Sequence, residues 1–328
     1  MPKIPYNQFN GTAQRAREVF LEEFDEALAI ADPESQWAVE LGFYLESDAI
    51  LTTFPVPVSS AGYVRREGDD RYRSLYQRSV SFTPEEWQDG FSARKREIEA
   101  PSFIGWHGEP MRMATEKARH LNVLTAAMLE GSVNLGFYSD PKIGLVSTKS
   151  LFDDAHPLNV FDSTVGTFDN AQTGSAIDQT LVKAVKQRFY NRLGPNGQRM
   201  GLMVTHVIVP SARAEEAKDF FEQDMLIETI ENAAGTDNVA AVMQKNRHKG
   251  TVTLIVAPEL SDDDDIYFLD ARPQAPKAWV VQMGGEEDIY FDESSDFFKE
   301  TGELKIGKIH MASTAGLLPH AIERVTLS

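Results

Sequence analysis

The sequence predicts an α+β protein, and three observations carry that prediction. Residues 37–104 alternate short β-like runs with charge-dense stretches. A single strong helical period occupies residues 109–130. From Ser175 onward, strand and helix patterns interleave.

Composition sets the outer limits. At 328 residues and 42% hydrophobic content the chain buries a real core and has room for more than one compact unit. Its 50 acidic residues outnumber 32 Lys and Arg, a net charge of −18. That balance opposes tight wrapping of nucleic acid, which needs cations on the contact face. With no cysteine, disulfides, thiolate zinc sites and a cysteine nucleophile are excluded. No apolar run is long enough for a bilayer, so no membrane role is expected. The opening MPKIPYNQFNG lacks an apolar core, so a secretory signal is not expected either.

The elements follow in order. Residues 12–31 read as a helix: Thr12 caps it, Ala16, Phe20, Phe24, Ala27 and Ala31 recur at helical spacing, and Asp32-Pro33 stops it. Between 37 and 104, ELGFYL, ILTTFPVPV and RSVSFTP are strand-like. Pro55 and Pro57 cannot donate to a ladder, which makes their run an edge strand or an extended arm. The stretch that follows, SSAGYVRREGDDRYRSLYQR, has too little apolar material for a core of its own and reads as a projecting, hairpin-like excursion. In 109–130, Met111, Ala114, Ala118, Leu121, Leu124 and Met128 form one helical stripe, opened by Pro110 and closed by Gly131. Residues 132–174 form a long polar connection. Ser175 and Asp178 resemble a capping box ahead of a stripe of Ile177, Leu181, Val185, Phe189 and Leu193 that ends at Gly194-Pro195. MVTHVIVP (203–210) is a strand, and Ser211 caps a helix bearing Ala217, Phe220 and Phe221. TVTLIVAP (251–258), IYFLD (266–270) and KAWVVQ (277–282) are further strands. The tail holds DIYF, LKIGKIHMA and AIERVTL.

Few motifs suggest chemistry. Asp262–Asp265 lacks the alternating ligands, glycine and distal glutamate of a calcium loop, and reads as a solvated turn between strands. GELKIGK (302–308) matches the first seven positions of a phosphate-binding loop, but Ile309 stands where Ser or Thr would hold magnesium, and the stretch reads as a strand. His206 lies in an apolar strand and reads as a satisfied core histidine. Asp153, Asp154 and His156 could form an acid/base or metal group, and a hydrolase built on them is one alternative reading. No third ligand is visible, and Pro157 favours a turn role. No GxSxG or GxGxxG occurs. No catalytic residue, metal or cofactor is therefore expected.

The strongest cluster is basic and aromatic: Arg65, Arg66, Arg71, Arg73 and Arg78 among Tyr63, Tyr72 and Tyr76. This mixture binds nucleic acid in some proteins and anchors protein interfaces in others. On an acidic chain, its expected target is the acidic surface of another copy, with Arg65, Arg66, Arg71, Tyr72, Arg73, Tyr76 and Arg78 as inter-subunit contacts.

The order of elements resembles the HK97-type capsid fold: a loose arm, a basic excursion, one long helix, a long loop, then an α/β body returning through a C-terminal sheet. More narrowly, LFDDAHPLN (151–159), VIVPSARAEEAKDFF (207–221), IYFLDARPQAPKAWVVQ (266–282) and the closing DIYFDESSDFFKETGELKIGKIHMASTAGLLPHA are similar to segments of the Mu-like phage major head subunit family. The resemblance implies an N-terminal arm and helix at 1–36, an E-loop region at 37–104 and a peripheral domain with its spine helix at 105–197. An axial domain at 198–285 and return strands at 286–328 complete it. It implies a tailed-phage capsid protein forming pentamers and hexamers around double-stranded DNA without specific binding. A portal and a separate scaffolding protein would be its partners. Its place would be the virion capsid, after assembly in the host cytoplasm. Some shells of this type weld a Lys on the E-loop to a neighbour; the excursion here carries Arg and no Lys before Lys95, so no such cross-link is expected. A cellular nanocompartment shell of the same fold is the other alternative.

Overall fold

A computed structural model of the chain describes residues 13–32, 36–49, 52–57, 77–94, 108–131, 149–158, 164, 166–194, 197–230, 240–291 and 295–328. In chain order its elements begin with α1 (Ala13–Ala31), α2 (Trp37–Leu41), β1 (Phe43–Glu46), β2 (Thr52–Pro57), β3 (Gln77–Phe82), β4 (Glu85–Arg94) and α3 (Glu109–Glu130). Next come β5 (His156–Pro157), β6 (Thr167–Phe168), β7 (Ala171–Gly174), α4 (Gln179–Asn191), β8 (His206–Pro210), α5 (Ala214–Glu222), β9 (Met225–Ile230) and β10 (Ala240–Lys245). The last are β11 (Thr253–Ala257), β12 (Asp265–Leu269), β13 (Trp279–Phe291), α6 (Asp296–Thr301), β14 (Glu303–Gly316) and β15 (Ile322–Leu327). Two compact units result, one from Met1–Thr52, Phe82–Thr125 and Val280–Ala315, the other from Thr53–Ser81, Ala126–Trp279 and Gly316–Ser328.

The first unit is built on a four-stranded sheet of order β1-β13-β14-β4. β1 runs parallel to β13, while β4 pairs antiparallel with β14 from Arg94 opposite Glu303 to Glu85 opposite Ala312. One cluster joins Phe20, Phe24 and Ala27 of α1, Met113 and Ala114 of α3, Ala93 of β4 and Leu304 and Ile306 of β14. The predicted stripe of α1 is therefore its buried face at Phe20, Phe24 and Ala27, with Ala31 only half-buried; Thr12 lies outside the described residues. α3 departs in one place. Met111 is exposed and Met113 is buried instead, because α3 buries much of its circumference: Lys117, Asn122 and Thr125 are inside as well. Asn122 supplies a bond that α2 lacks, its Oδ1 accepting from the Ala38 amide at 3.1 Å.

KAWVVQ and DIYF were expected as separate strands, but β13 runs unbroken through both for 13 residues. Gly284 and Gly285 between them are part of the strand. A Cβ on Gly284 would collide with the Ser47 carbonyl, so here glycine permits close backbone approach and does not mark a boundary. GELKIGK is likewise no phosphate loop. Gly302, at φ 73°, closes α6 in the left-handed conformation, and the rest opens β14.

The second unit centres on a five-stranded sheet of order β11-β8-β12-β15-β7. β8 and β11 are parallel, as are β15 and β7, and β12 runs antiparallel to both β8 and β15. Val207, Val209, Ile266, Phe268, Val325 and Leu327 alternate onto one face, where Val182, Val185 and Phe189 of α4 and Ala217, Phe220 and Phe221 of α5 cover them. The central strand β12 is buried at every position, as its continuous apolar run anticipates. Two caps differ from expectation. Asp178 itself is the N-cap of α4, its carboxylate accepting from the Leu181 amide at 2.7 Å, so no box with Ser175 forms. Ser211 opens a short 3-10 turn and makes no side-chain cap bond. The acidic run 262–265 is the turn before β12. Glu130 accepts from the Ser261 and Asp262 amides there, and only Asp265 is buried.

Candidate assembly interface and the buried polar centres

Asp153 and His156 do come together, but their bonds are structural, and Asp154 is exposed. Asp153 pairs with Lys149 at 2.6 Å and accepts from the Ala155 amide at 2.8 Å. His156 is buried, its Nε2 lying 3.2 Å from the Leu151 carbonyl and 3.1 Å from Asn170 Oδ1. Both partners are acceptors, so the proton resides on Nε2. Burial lowers the His156 pKa to about 4, against the opposing pull of Asp153. A neutral imidazole sealed this way is out of reach of a substrate.

The hub of this centre is a residue that sequence reasoning missed. Asn170 is fully buried, and its Nδ2 donates to the carbonyls of Leu151 at 2.9 Å and Pro319 at 3.1 Å. Its Oδ1 also accepts from the Asp153 amide at 3.0 Å. Three chain segments, 151–156, 170 and 319–322, are thereby tied through one amide. Nothing local marks Asn170 as special.

A second missed centre lies on the helix-covered side of the five-stranded sheet. Glu323 of β15 is fully buried and accepts from Arg188 Nε and Arg192 Nη2, each at 2.7 Å. Burial pushes the Glu323 carboxyl upward, and the two guanidiniums oppose it; burial also lowers Arg192. Here a sequence signal existed. Glu323 shares strand parity with Val325 and Leu327, and Arg188 and Arg192 are one turn apart on α4. A cavity of about 290 Å³ beside them is lined by Phe168, Asp169, Gln172 and Asn191, and by arginines already committed to Glu323. Among the described residues, no group of three or more His, Cys, Asp and Glu side chains could hold a metal, and no helix is long and apolar enough to cross a membrane.

The predicted contact residues frame the remaining feature. Arg65, Arg66, Arg71, Tyr72, Arg73 and Tyr76 lie outside the described residues. Arg78 is the second residue of β3. β2 and β3, which bracket this basic stretch, pair with each other in a two-stranded sheet. Pro55 and Pro57 sit in β2, where a two-stranded ladder leaves one side of the backbone unpaired and tolerates proline. A ladder of two strands is marginal in water and gains stability from a further surface.

Similarity to solved structures covers almost the whole chain. The capsid of a native GTA particle superposes with a TM-score of 0.52 at 12% identity, over 88% of this chain and 89% of that one. A chain of Microbacterium phage Oxtober96 gives 0.53 at 11% identity, over 89% and 91%. The capsid of Ralstonia phage GP4 gives 0.50 at 12% identity, over 86% and 85%. This is a capsid-protein fold. No family model and no curated protein matches the sequence. The likeness is one of fold at an identity of about a tenth, and it is the α+β, HK97-type fold that the order of elements resembles. In the capsid fold as this chain builds it, the paired strands β2 and β3 stand at the two ends of the basic segment.

Proposed function

We propose that the chain is the major capsid protein of a tailed phage, assembling into an icosahedral shell around double-stranded DNA, and that it has no enzymatic role. The observation that carries this reading is the agreement of fold with capsid chains over nearly nine-tenths of the length of both partners. The geometry around His156 supports the structural side of it: its imidazole is buried and committed to Asn170.

In this reading the segment between β2 and β3 lies on a neighbouring copy, with Arg65, Arg66, Arg71, Tyr72, Arg73, Tyr76 and Arg78 as its contacts. The domain assignment follows the segments given above, with α3 as the spine helix and 198–285 around the pentamer and hexamer axes. Each contact is individually weak, and closed symmetry sums many identical contacts into a stable shell. Net acidity suits an enclosed DNA that must pack and leave. A portal and a separate scaffolding protein are the partners. The virion capsid is the final location, reached from the host cytoplasm, and the segments quoted above support a kinship with the Mu-like head subunits.

The test is negative-stain electron microscopy of concentrated protein, alone and co-expressed with its neighbouring genes. Angular shells or five- and six-membered rings are expected. Monodisperse monomers under every condition would overturn the proposal.

A further inference from the structure

On a chain of net charge −18, one described turn is densely basic: Lys245 ends β10, and Arg247, His248 and Lys249 follow it. Two lysines of α4 join it. Lys186 Nζ lies 2.8 Å from Thr251 Oγ1 and 3.5 Å from His248 Nδ1, and both Lys183 and Lys186 act electrostatically on His248. Uncharged groups also hold the turn in shape. Asn246 holds it by donating to the carbonyls of Phe220 and Gln223, His248 stacks on Phe220, and Gly250 takes the left-handed conformation. Lys249 pairs with Asp224. Lys183, Lys186 and Arg247 form no ion pair with a carboxylate among the described residues, Lys186 being half-buried, and Lys245 acts on Asp224 only electrostatically, without a direct pair. Cations without a direct ion pair on an acidic body point to an anionic partner.

A matching surface lies on the same unit. β11 is an edge strand; the basic turn leads into it, and the acidic turn Asp262–Asp264 follows it. Five residues of strand separate the two turns by roughly 17 Å. Asp262 and Asp263 are exposed and carry no ion pair among the described residues, whereas Asp264 is already held by Arg213 at 2.6 Å. Two complementary patches at opposite ends of one rigid strand suit a head-to-tail contact, the kind that closes into rings. A nucleic acid would require the basic patch and leave the acidic one without purpose.

We infer that the basic patch of Lys183, Lys186, Lys245 and Arg247 receives the Asp262–Asp263 turn of an adjacent copy within a ring. This rests on the capsid reading and names a contact within it, separate from the Arg65–Arg78 segment.

The test uses the full chain in three forms beside the wild type: Lys183→Glu/Lys245→Glu/Arg247→Glu, Asp262→Lys/Asp263→Lys, and all five changes together. The altered residues are exposed, and circular dichroism with a thermal melt checks that each form folds. Either partial reversal is expected to lower the sedimenting particle fraction about tenfold, and the combined chain to regain most of it. Two folded partial variants that assemble like wild type would overturn the inference, as would a folded combined chain that stays unassembled. Normal assembly with loss of DNA retention in the basic-patch variant would assign the patch to nucleic acid and overturn it too. Those outcomes leave the capsid reading intact; a wild-type chain that forms no particle removes both.

Discussion

Asn170 concentrates more structural consequence than any other side chain described here. Its amide bonds directly to the Leu151 and Pro319 carbonyls, the Asp153 amide and the His156 imidazole. Asn170→Ala would take their partner from the Pro319 carbonyl and the Asp153 amide and leave the Leu151 carbonyl and the His156 imidazole only each other, and stability is expected to fall by about 3 kcal/mol, read as a shift in the urea midpoint. The histidines add a pH dependence with a definite sign. Burial lowers His156 to about 4 and His320 to about 3, while in the unfolded chain both titrate near 6.5. Between those limits the unfolded state binds more protons. Stability is therefore fully present above about pH 6.5 and declines as pH falls toward 4, by about 3 kcal/mol from His156 alone. Denaturation midpoints measured from pH 7 to 4 should fall steadily, and more gently in His156→Gln. A midpoint that does not change across that range would contradict the assignment.

At the scale of elements, two predictions separate fold from assembly. Gly284 lies where β13 passes Ser47, and a methyl group there must displace backbone. Gly284→Ala is expected to destabilise the first unit by 1–3 kcal/mol, about the usual range for overpacking, visible in a thermal melt. The segment bracketed by β2 and β3 should behave in the opposite way. Reversing Arg65, Arg66 and Arg71 together is expected to abolish particles in sedimentation while the thermal melt stays within about 0.5 kcal/mol of wild type, the usual reach of exposed substitutions. If particles persist, the arm does not bind through its charge. The long helices were legible because their buried faces recur every three to four residues, as Phe20, Phe24 and Ala27 do. Met111 and Ser211 were misassigned because periodicity says which positions repeat, not which neighbour arrives to cover them.

For the whole molecule, the proposed shell is held by noncovalent contacts. No lysine occurs between Lys3 and Lys95, so the arm offers no amine for an isopeptide weld. Purified particles boiled in detergent should therefore resolve to a single band near 36.6 kDa. A ladder of multiples would show that subunits are covalently joined. The charge of −18 adds mutual repulsion between copies, so contacts that pair opposite charges matter more here than on a neutral protein.

By itself, the sequence determined the class of fold, the positions of α1, α3 and α4, the edge character of the Pro55–Pro57 strand and the absence of thiol chemistry. All of these follow from short-range periodicity, backbone chemistry or composition. Only the tertiary structure decided that β13 continues through two glycines, that Asp178 rather than Ser175 caps α4, and that Asn170 and Glu323 anchor their surroundings. The reason is physical. The anchoring by Asn170 and Glu323 depends on groups brought together from 131 to 152 residues away, as with Arg192 and Glu323 or Asn170 and Ile322, and no local pattern records which distant carbonyl or guanidinium will fill the vacancy.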